Sequence, residues 1–258
     1  MTDLKVVLFD MDDTLIDWEH FHGDWRKLEL THLRGVVDFL ADSGVELVET
    51  FETFCNQFGD YTQDAWLDAR TSLRAPHLGK ILMQTLRDNG IDASETITEA
   101  ACLDAYGWST LPGVTVFPDV PEVLKILHEN DVRVGIVTNA FQPMRLRWRE
   151  LDLYDLTPLF PERDLCVAAA DVGYLKPHKR IFEHMLDKLP GVKPEEIVFV
   201  GDNPAADVVG SQDMGMKAVL RVRDSGSQRL QHIADPDATV TTLHEMLPSL
   251  DTWYPGWR

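Results

Sequence analysis

The sequence predicts an α/β fold, a doubly wound parallel sheet of Rossmann-like type with a helical domain inserted after the first strand. Three observations carry this reading. Apolar runs of strand length recur at residues 5–10, 132–138, 165–169, 197–201 and 217–222, with helical patterns between them. The first run, Val6-Val7-Leu8-Phe9, lacks polar alternation, as expected for a strand buried on both faces of a parallel sheet. Between residues 17 and 111 strand signals are scarce and apolar residues fall at helical spacing.

In chain order, the first strand runs into Asp10-Met11-Asp12-Asp13-Thr14-Leu15. Residues i and i+2 of an extended segment project to one side, so Asp10 and Asp12 can address one small site. Loops at the carboxyl ends of parallel strands are where open α/β sheets bind ligands. Two carboxylates that close repel unless a cation or a shared proton compensates, and hard oxygen donors suit Mg²⁺. Taken alone the pair is weak evidence, because a solvated turn capping the next helix has the same composition.

In the insertion, Trp25, Leu28, Leu30, Leu33, Val36, Val37 and Leu40 outline one amphipathic helix. Leu78, Ile81, Leu82, Thr85 and Leu86 outline another, stopped at Asn89-Gly90. Boundaries are expected near Ile16-Asp17 and near Thr110-Leu111-Pro112-Gly113, where Pro and Gly break the pattern. The expected organisation is a core of residues 1–16 and 112–258 and a helical unit of residues 17–111.

The second strand run, Val132 to Val137, ends in Thr138-Asn139, whose hydroxyl and neighbouring backbone N–H groups can donate to phosphate oxygens. Lys176 precedes Pro177, which biases it away from helix. Ile197-Val198-Phe199-Val200 ends in Gly201-Asp202-Asn203-Pro204-Ala205-Ala206-Asp207, an acidic loop. By itself each of these is a common turn, cap or surface residue.

Together and in this order, DMDDTL at residues 10–15, Thr138, Lys176 and the Gly201-Asp202 to Asp207 segment resemble the four signature motifs of the haloacid dehalogenase superfamily of phosphohydrolases. The likeness extends to Gly113–Asp119 with the following helix, to Gly173–Phe182 and to Gly210–Met216, and covers the chain outside residues 17–111. It implies that Asp10 is a nucleophile forming an aspartyl-phosphate and that Asp12 is general acid, then general base. Thr138, Asn139 and Lys176 would hold the phosphoryl oxygens. Mg²⁺ would bind Asp10, Asp202 and, through its backbone carbonyl, Asp12. Asp207 and Thr14 would act from behind, Asp207 on a metal water or on Lys176, and Thr14 by hydrogen bonds that orient the first loop. The inserted helices would form a cap that closes on the site and sets substrate choice.

Asp12 separates branches of the resemblance. The superfamily's dehalogenases attack carbon, use no metal and lack an acid there, so a Mg²⁺-dependent phosphatase of a small phosphorylated metabolite is favoured: a sugar phosphate, phosphoglycolate or a nucleoside monophosphate. The alternatives are a phosphomutase of the same superfamily and a non-turnover phospho-accepting signalling domain. Two departures stand out. Asp13 takes a place where many members have Gly, with a loop-bonding role expected. His178-Lys179 follow Lys176-Pro177 where a carboxylate or amide and a Pro are more usual, and a surface role is expected for His178 over contact with substrate.

Composition agrees. A content of 44% hydrophobic and 26% charged residues is ordinary for a soluble globular chain, and no apolar run is long enough to span a bilayer. Cys55, Cys102 and Cys166 are odd in number and far apart, which fits a cytoplasmic protein without disulfides or a zinc site. The net charge of −19 disfavours nucleic acid and anionic membranes as partners and opposes an anionic phosphate at long range. The resemblance implies a small phosphorylated metabolite as partner, and a monomer or homodimer is expected. Solubility explains the acidity; adaptation to high salt is the sharper alternative. Asp17, Trp18, His20 and His22 could face the cleft, and the basic group Arg70, Arg74, His77 and Lys80 is read as solvated helix surface. The aromatic tail Trp253-Tyr254-Pro255-Gly256-Trp257 is expected to pack on the domain.

Overall fold

The computed structural model describes residues 2–223 and 235–258. Its strands are β1 (Val6–Phe9), β2 (Ile16–Asp17), β3 (Thr115–Val116), β4 (Arg133–Thr138), β5 (Cys166–Ala168), β6 (Ile197–Gly201), β7 (Lys217–Arg221) and β8 (Ala238–Val240). Six of them form one parallel sheet in the order β5-β4-β1-β6-β7-β8. The first strand is central, with Val6 paired to Arg133 on one side and Ile197 on the other. All four β1 side chains are fully buried, which is why that run shows no alternation. The order reverses at β1, so the ends of β1, β4 and β6 open one crevice, the usual ligand position in open α/β sheets.

The helices are α1 (Trp25–Asp42), α2 (Phe51–Ser72), α3 (Leu78–Asp88), α4 (Glu99–Tyr106), α5 (Val120–Glu129), α6 (Met144–Leu153), α7 (Ala169–Val172), α8 (Lys179–Leu186), α9 (Gly210–Gln212) and α10 (Leu247–Trp253). The first four lie in the insertion. Their starts are capped by side chains of Asp24, Thr50, His77 and Thr98, each accepting from orphan backbone N–H groups of the first turn. Leu33, Val36 and Leu40 of α1 pack with Phe54 and Phe58 of α2, Leu82 and Leu86 of α3 and Cys102 of α4. The helix α2 has no counterpart among the helices expected from the sequence. Its stretch is polar and carries Gly59, so periodicity gives little warning.

The junctions hold a two-stranded ribbon that the sequence does not announce: β2 pairs antiparallel with β3. Gly113 sits at φ +83°, and a Cβ there would lie 2.0 Å from the His20 carbonyl oxygen, so only glycine lets the two crossings run this close. A third attachment joins helical unit and core. Leu175 N donates to Leu73 O, Ala75 N to Gly173 O and Leu78 N to Phe141 O, so the α2–α3 linker is strapped to the loops beyond β4 and before α8. The tail packs on the core as expected: Tyr254 is buried and its hydroxyl donates to Glu195 O at 3.1 Å.

Candidate active site

Burial of β1 in the sheet carries Asp10 to the floor of the crevice, where its backbone N–H still donates to Val200 O. Lys176, which is joined to Pro177 by a cis peptide bond, is 3% exposed. Asn139 holds its backbone at two points: Lys176 N donates to Asn139 Oδ1 at 2.7 Å, and Asn139 Nδ2 donates to Lys176 O at 3.1 Å. The Lys176 ammonium thereby stands 2.7 Å from both Asp10 Oδ1 and Asp207 Oδ1. Burial alone would pull its pKa down; the two carboxylates outweigh this and hold it well above the ordinary lysine range.

Asp202 and Asp207 arrive from the end of β6. Pro204–Val209 is wound as a single π-helical turn, capped by Asn203, which swings Asp207 back under the sheet end. Asp207 Oδ2 accepts from Asn203 N at 2.9 Å. A Cβ on Gly201 would lie 2.2 Å from Asp207 Oδ2, so the bare glycine makes room for this carboxylate. Gly201→Ala is therefore expected to push Asp207 off Lys176 and to lower both thermal stability and turnover, read by denaturation midpoint and kcat; an unchanged kcat would count against the Asp207–Lys176 arrangement.

One oxygen from each of Asp10, Asp202 and Asp207 lies within 4.8 Å of the others. Burial, then repulsion from Asp207, pushes the Asp202 carboxyl up to about 7. Burial first, with Asp207 and Asp202 adding to it, raises Asp10 well above the carboxylate range against the pull of Lys176. An all-oxygen set with surplus negative charge fits a hard divalent cation such as Mg²⁺. The sign of the pH effect follows. The folded chain holds these protons more tightly than the unfolded chain, so the metal-free protein loses stability as pH rises from the ordinary carboxylate range through about 7. Mg²⁺ competes with those protons, so it should raise the melting temperature at pH values above about 7 and do little near pH ~5, as measured by melting in Mg²⁺ and in EDTA. An equal Mg²⁺ effect at both pH values would contradict this.

The side chain of Asp12 leaves this cluster. Trp18 Nε1 donates to Asp12 Oδ1 at 2.9 Å, and Arg147 Nη2 donates to the same oxygen at 2.6 Å. Arg147, on α6, is 2% exposed; its Nη1 lies 3.2 Å from Glu150 Oε2, and that carboxylate also accepts from Trp108 Nε1 at 2.8 Å. Sequence reasoning missed Arg147. Its signal was an Arg-x-x-Glu pair on the face of α6 that also carries Leu146 and Leu151.

The remaining expected residues fall as follows. Thr138 is 1% exposed and its Oγ1 has no partner among the described residues, a donor free for an anion. The Thr14 hydroxyl is likewise without a partner, so the loop-orienting hydrogen bond expected of it is not its own: its carbonyl accepts from Arg221 Nη1 at 2.9 Å, and Arg221 also pairs with Asp119. Asp13 adopts φ +60°, the left-handed region that glycine favours, and binds Arg223 and the Trp18 N–H. His178 caps α8 and stacks on Tyr174. A cavity of about 740 Å³ opens beside Asp12, between the core and the inserted helices; Trp18 lines it, whereas His20, His22 and the Arg70–Lys80 basic group do not.

Residues 4–215 match the family model for haloacid dehalogenase-like hydrolases. The chain is 25% identical to the glyceraldehyde 3-phosphate phosphatase of Methanothermobacter thermautotrophicus, over 94% of this chain and 96% of that one. It is 26% identical to the pyrimidine 5′-nucleotidase YjjG of Escherichia coli, over 93% and 95% respectively. Among solved structures it superposes on a HAD phosphatase from Thermococcus onnurineus with TM-score 0.56 and 26% identity, covering 96% of this chain and 98% of that one. Among the described residues no helix is long and apolar enough to cross a membrane.

Proposed function

The chain belongs to the haloacid dehalogenase-like hydrolases, and from that premise we propose that it is a Mg²⁺-dependent phosphatase of a small phosphorylated metabolite, working through an aspartyl-phosphate at Asp10. One observation supports this most: a buried carboxylate, Asp10, neutralised by Lys176 at 2.7 Å, faces an acidic set at the open end of a parallel sheet. The names of the relatives, two phosphatases of a triose phosphate and of a nucleotide, support the same reading.

In this account Asp10 attacks phosphorus; the new bond joins Asp10 Oδ to phosphorus as the ester P–O bond breaks, and the leaving alkoxide takes a proton from Asp12. Water then attacks phosphorus and gives a proton to Asp12, phosphate departs and Asp10 is restored. Lys176 and the free Thr138 hydroxyl hold the phosphoryl oxygens, while Asn139 fixes Lys176. Asp207 keeps the ammonium in place. Asp10, Asp202 and the Asp12 carbonyl would hold Mg²⁺, which when bound would supply the charge neutralisation that lets two anions meet. The helical unit of residues 17–111 serves as the cap over this chemistry.

Phosphate release from p-nitrophenyl phosphate, with Mg²⁺ and with EDTA, tests the proposal. Turnover that needs the metal is expected; equal rates in both, or none on any ester, would overturn it. Phosphate transfer between two positions of one sugar, activated by a bisphosphate and without net release, would mark a mutase instead.

A further inference from the structure

We propose that the cavity beside Asp12 receives a flat heteroaromatic ring on the leaving group, so that nucleoside monophosphates are the preferred esters. This rests on the phosphatase reading above and names its substrate class. Two tryptophans on the inserted helices, Trp25 and Trp66, are 55% and 36% exposed, and both line this cavity. Single exposed apolar side chains are ordinary, but two large aromatic rings open to solvent on one cavity form the kind of patch that marks a binding surface. Trp25 stacks on Trp18, and Trp66 stands against Phe141, so each offers a ring already held by a neighbour. Such rigid faces stack on a base with little loss of freedom.

Polar groups in the same cavity match a base edge. His32 is 92% buried (8% exposed), and its Nδ1 lies 2.7 Å from the Tyr106 carbonyl oxygen. A carbonyl only accepts, so Nδ1 carries the hydrogen; burial lowers the His32 pKa and keeps the ring neutral, leaving Nε2 an acceptor. Among the described residues that Nε2 has no partner. Gln142 is 5% exposed, lines the cavity, and its amide makes no hydrogen bond among the described residues. An amide and a lone acceptor lining one cavity suit the mixed donors and acceptors of a base edge, as amide side chains do elsewhere. A buried acceptor left unpaired is costly, so a ligand lacking a donor for it is rejected.

Charge argues against a second anionic group on the leaving part. Arg147 is committed to Asp12 and Glu150, while Arg26 donates to Asn56 and shares the cavity with Glu29. The volume of about 740 Å³ is that of a small-molecule site and exceeds what a triose alone would fill.

The test compares kcat/KM for cytidine, uridine, adenosine and guanosine 5′-monophosphates with that for ribose 5-phosphate and glyceraldehyde 3-phosphate in Mg²⁺. At least one nucleotide should exceed ribose 5-phosphate by about tenfold or more, the value of one stacked base. Trp25→Ala and Trp66→Ala, at positions 55% and 36% exposed, should bring that ratio toward one, with the denaturation midpoint checking that each variant is folded. Quenching of tryptophan fluorescence by the free nucleosides, and not by ribose, reads the same cavity without turnover. Ribose 5-phosphate or the triose matching every nucleotide would overturn the inference and leave the phosphatase standing. Nucleosides that quench while no ester is hydrolysed would remove the phosphatase reading and leave the cavity's preference in place.

Discussion

Asp10→Asn is expected to lower kcat by about 10⁴-fold or more while the protein stays folded. The amide keeps the size of the side chain but has no electron pair suited to attack on phosphorus. Folding should survive for an electrostatic reason. Burial raises the Asp10 carboxyl well above the usual range, with Asp207 and Asp202 adding to this against the pull of Lys176, so removing its charge relieves a desolvation cost and a repulsion. Lys176 is not stranded, because Asp207 remains 2.7 Å away. Denaturation midpoint and kcat on p-nitrophenyl phosphate check both halves. A folded variant retaining more than about one per cent of turnover would place the nucleophile elsewhere.

The second large effect is expected at Arg147, the residue that links Asp12 to Glu150. Arg147→Met should cost about 3–5 kcal/mol of stability, the usual result of leaving a buried charge without its partner. Glu150 is 1% exposed, and burial already raises its pKa against the pull of Arg147. The double variant Arg147→Met, Glu150→Gln should regain much of that stability, since a neutral amide can still accept from Trp108. It should not regain kcat, because Asp12 would have lost the guanidinium that fixes its Oδ1. That outcome would mark Arg147 as a positioning residue acting through Asp12. Recovery of kcat together with stability in the double variant would show a purely structural role.

The catalytic core was legible because short-range rules govern it. Val6–Phe9 announces a doubly buried strand, Asp10 and Asp202 follow directly on strand ends, and Thr138 closes a third strand, so that topology alone brings them together. The five expected strands match β1, β4, β5, β6 and β7 to within a residue at each end and the insertion is helical, whereas the edge strand β8 was not expected. What escaped the sequence depends on contacts between distant segments. The ribbon of Ile16–Asp17 with Thr115–Val116 is too short to show alternation. Trp25 reads as part of the apolar face of α1, yet it is 55% exposed and belongs to the cavity. The turn of Asp12 toward Arg147 joins residues 135 positions apart, and no periodicity predicts it. The basic group Arg70 to Lys80 shows the opposite case: it is conspicuous in an acidic chain, yet none of its members lines the cavity, and His77 serves as a helix cap.

The acidic surface carries its own expectation. If the net charge of −19 serves adaptation to salt, melting temperature and kcat should rise between low and molar KCl; values unchanged over that range leave solubility as its role.

The most direct test of the central claim is a rapid-quench experiment on Asp12→Asn with p-nitrophenyl phosphate and Mg²⁺. Its phenolate leaves with little need of an acid, so transfer to Asp10 should proceed, whereas hydrolysis of the acyl phosphate should stall without a base. The account predicts a burst of nitrophenolate close to one equivalent per site, followed by slow release, and one phosphoryl group on the peptide bearing Asp10. Linear release with no burst, or a phosphoryl group on any other residue, would contradict it.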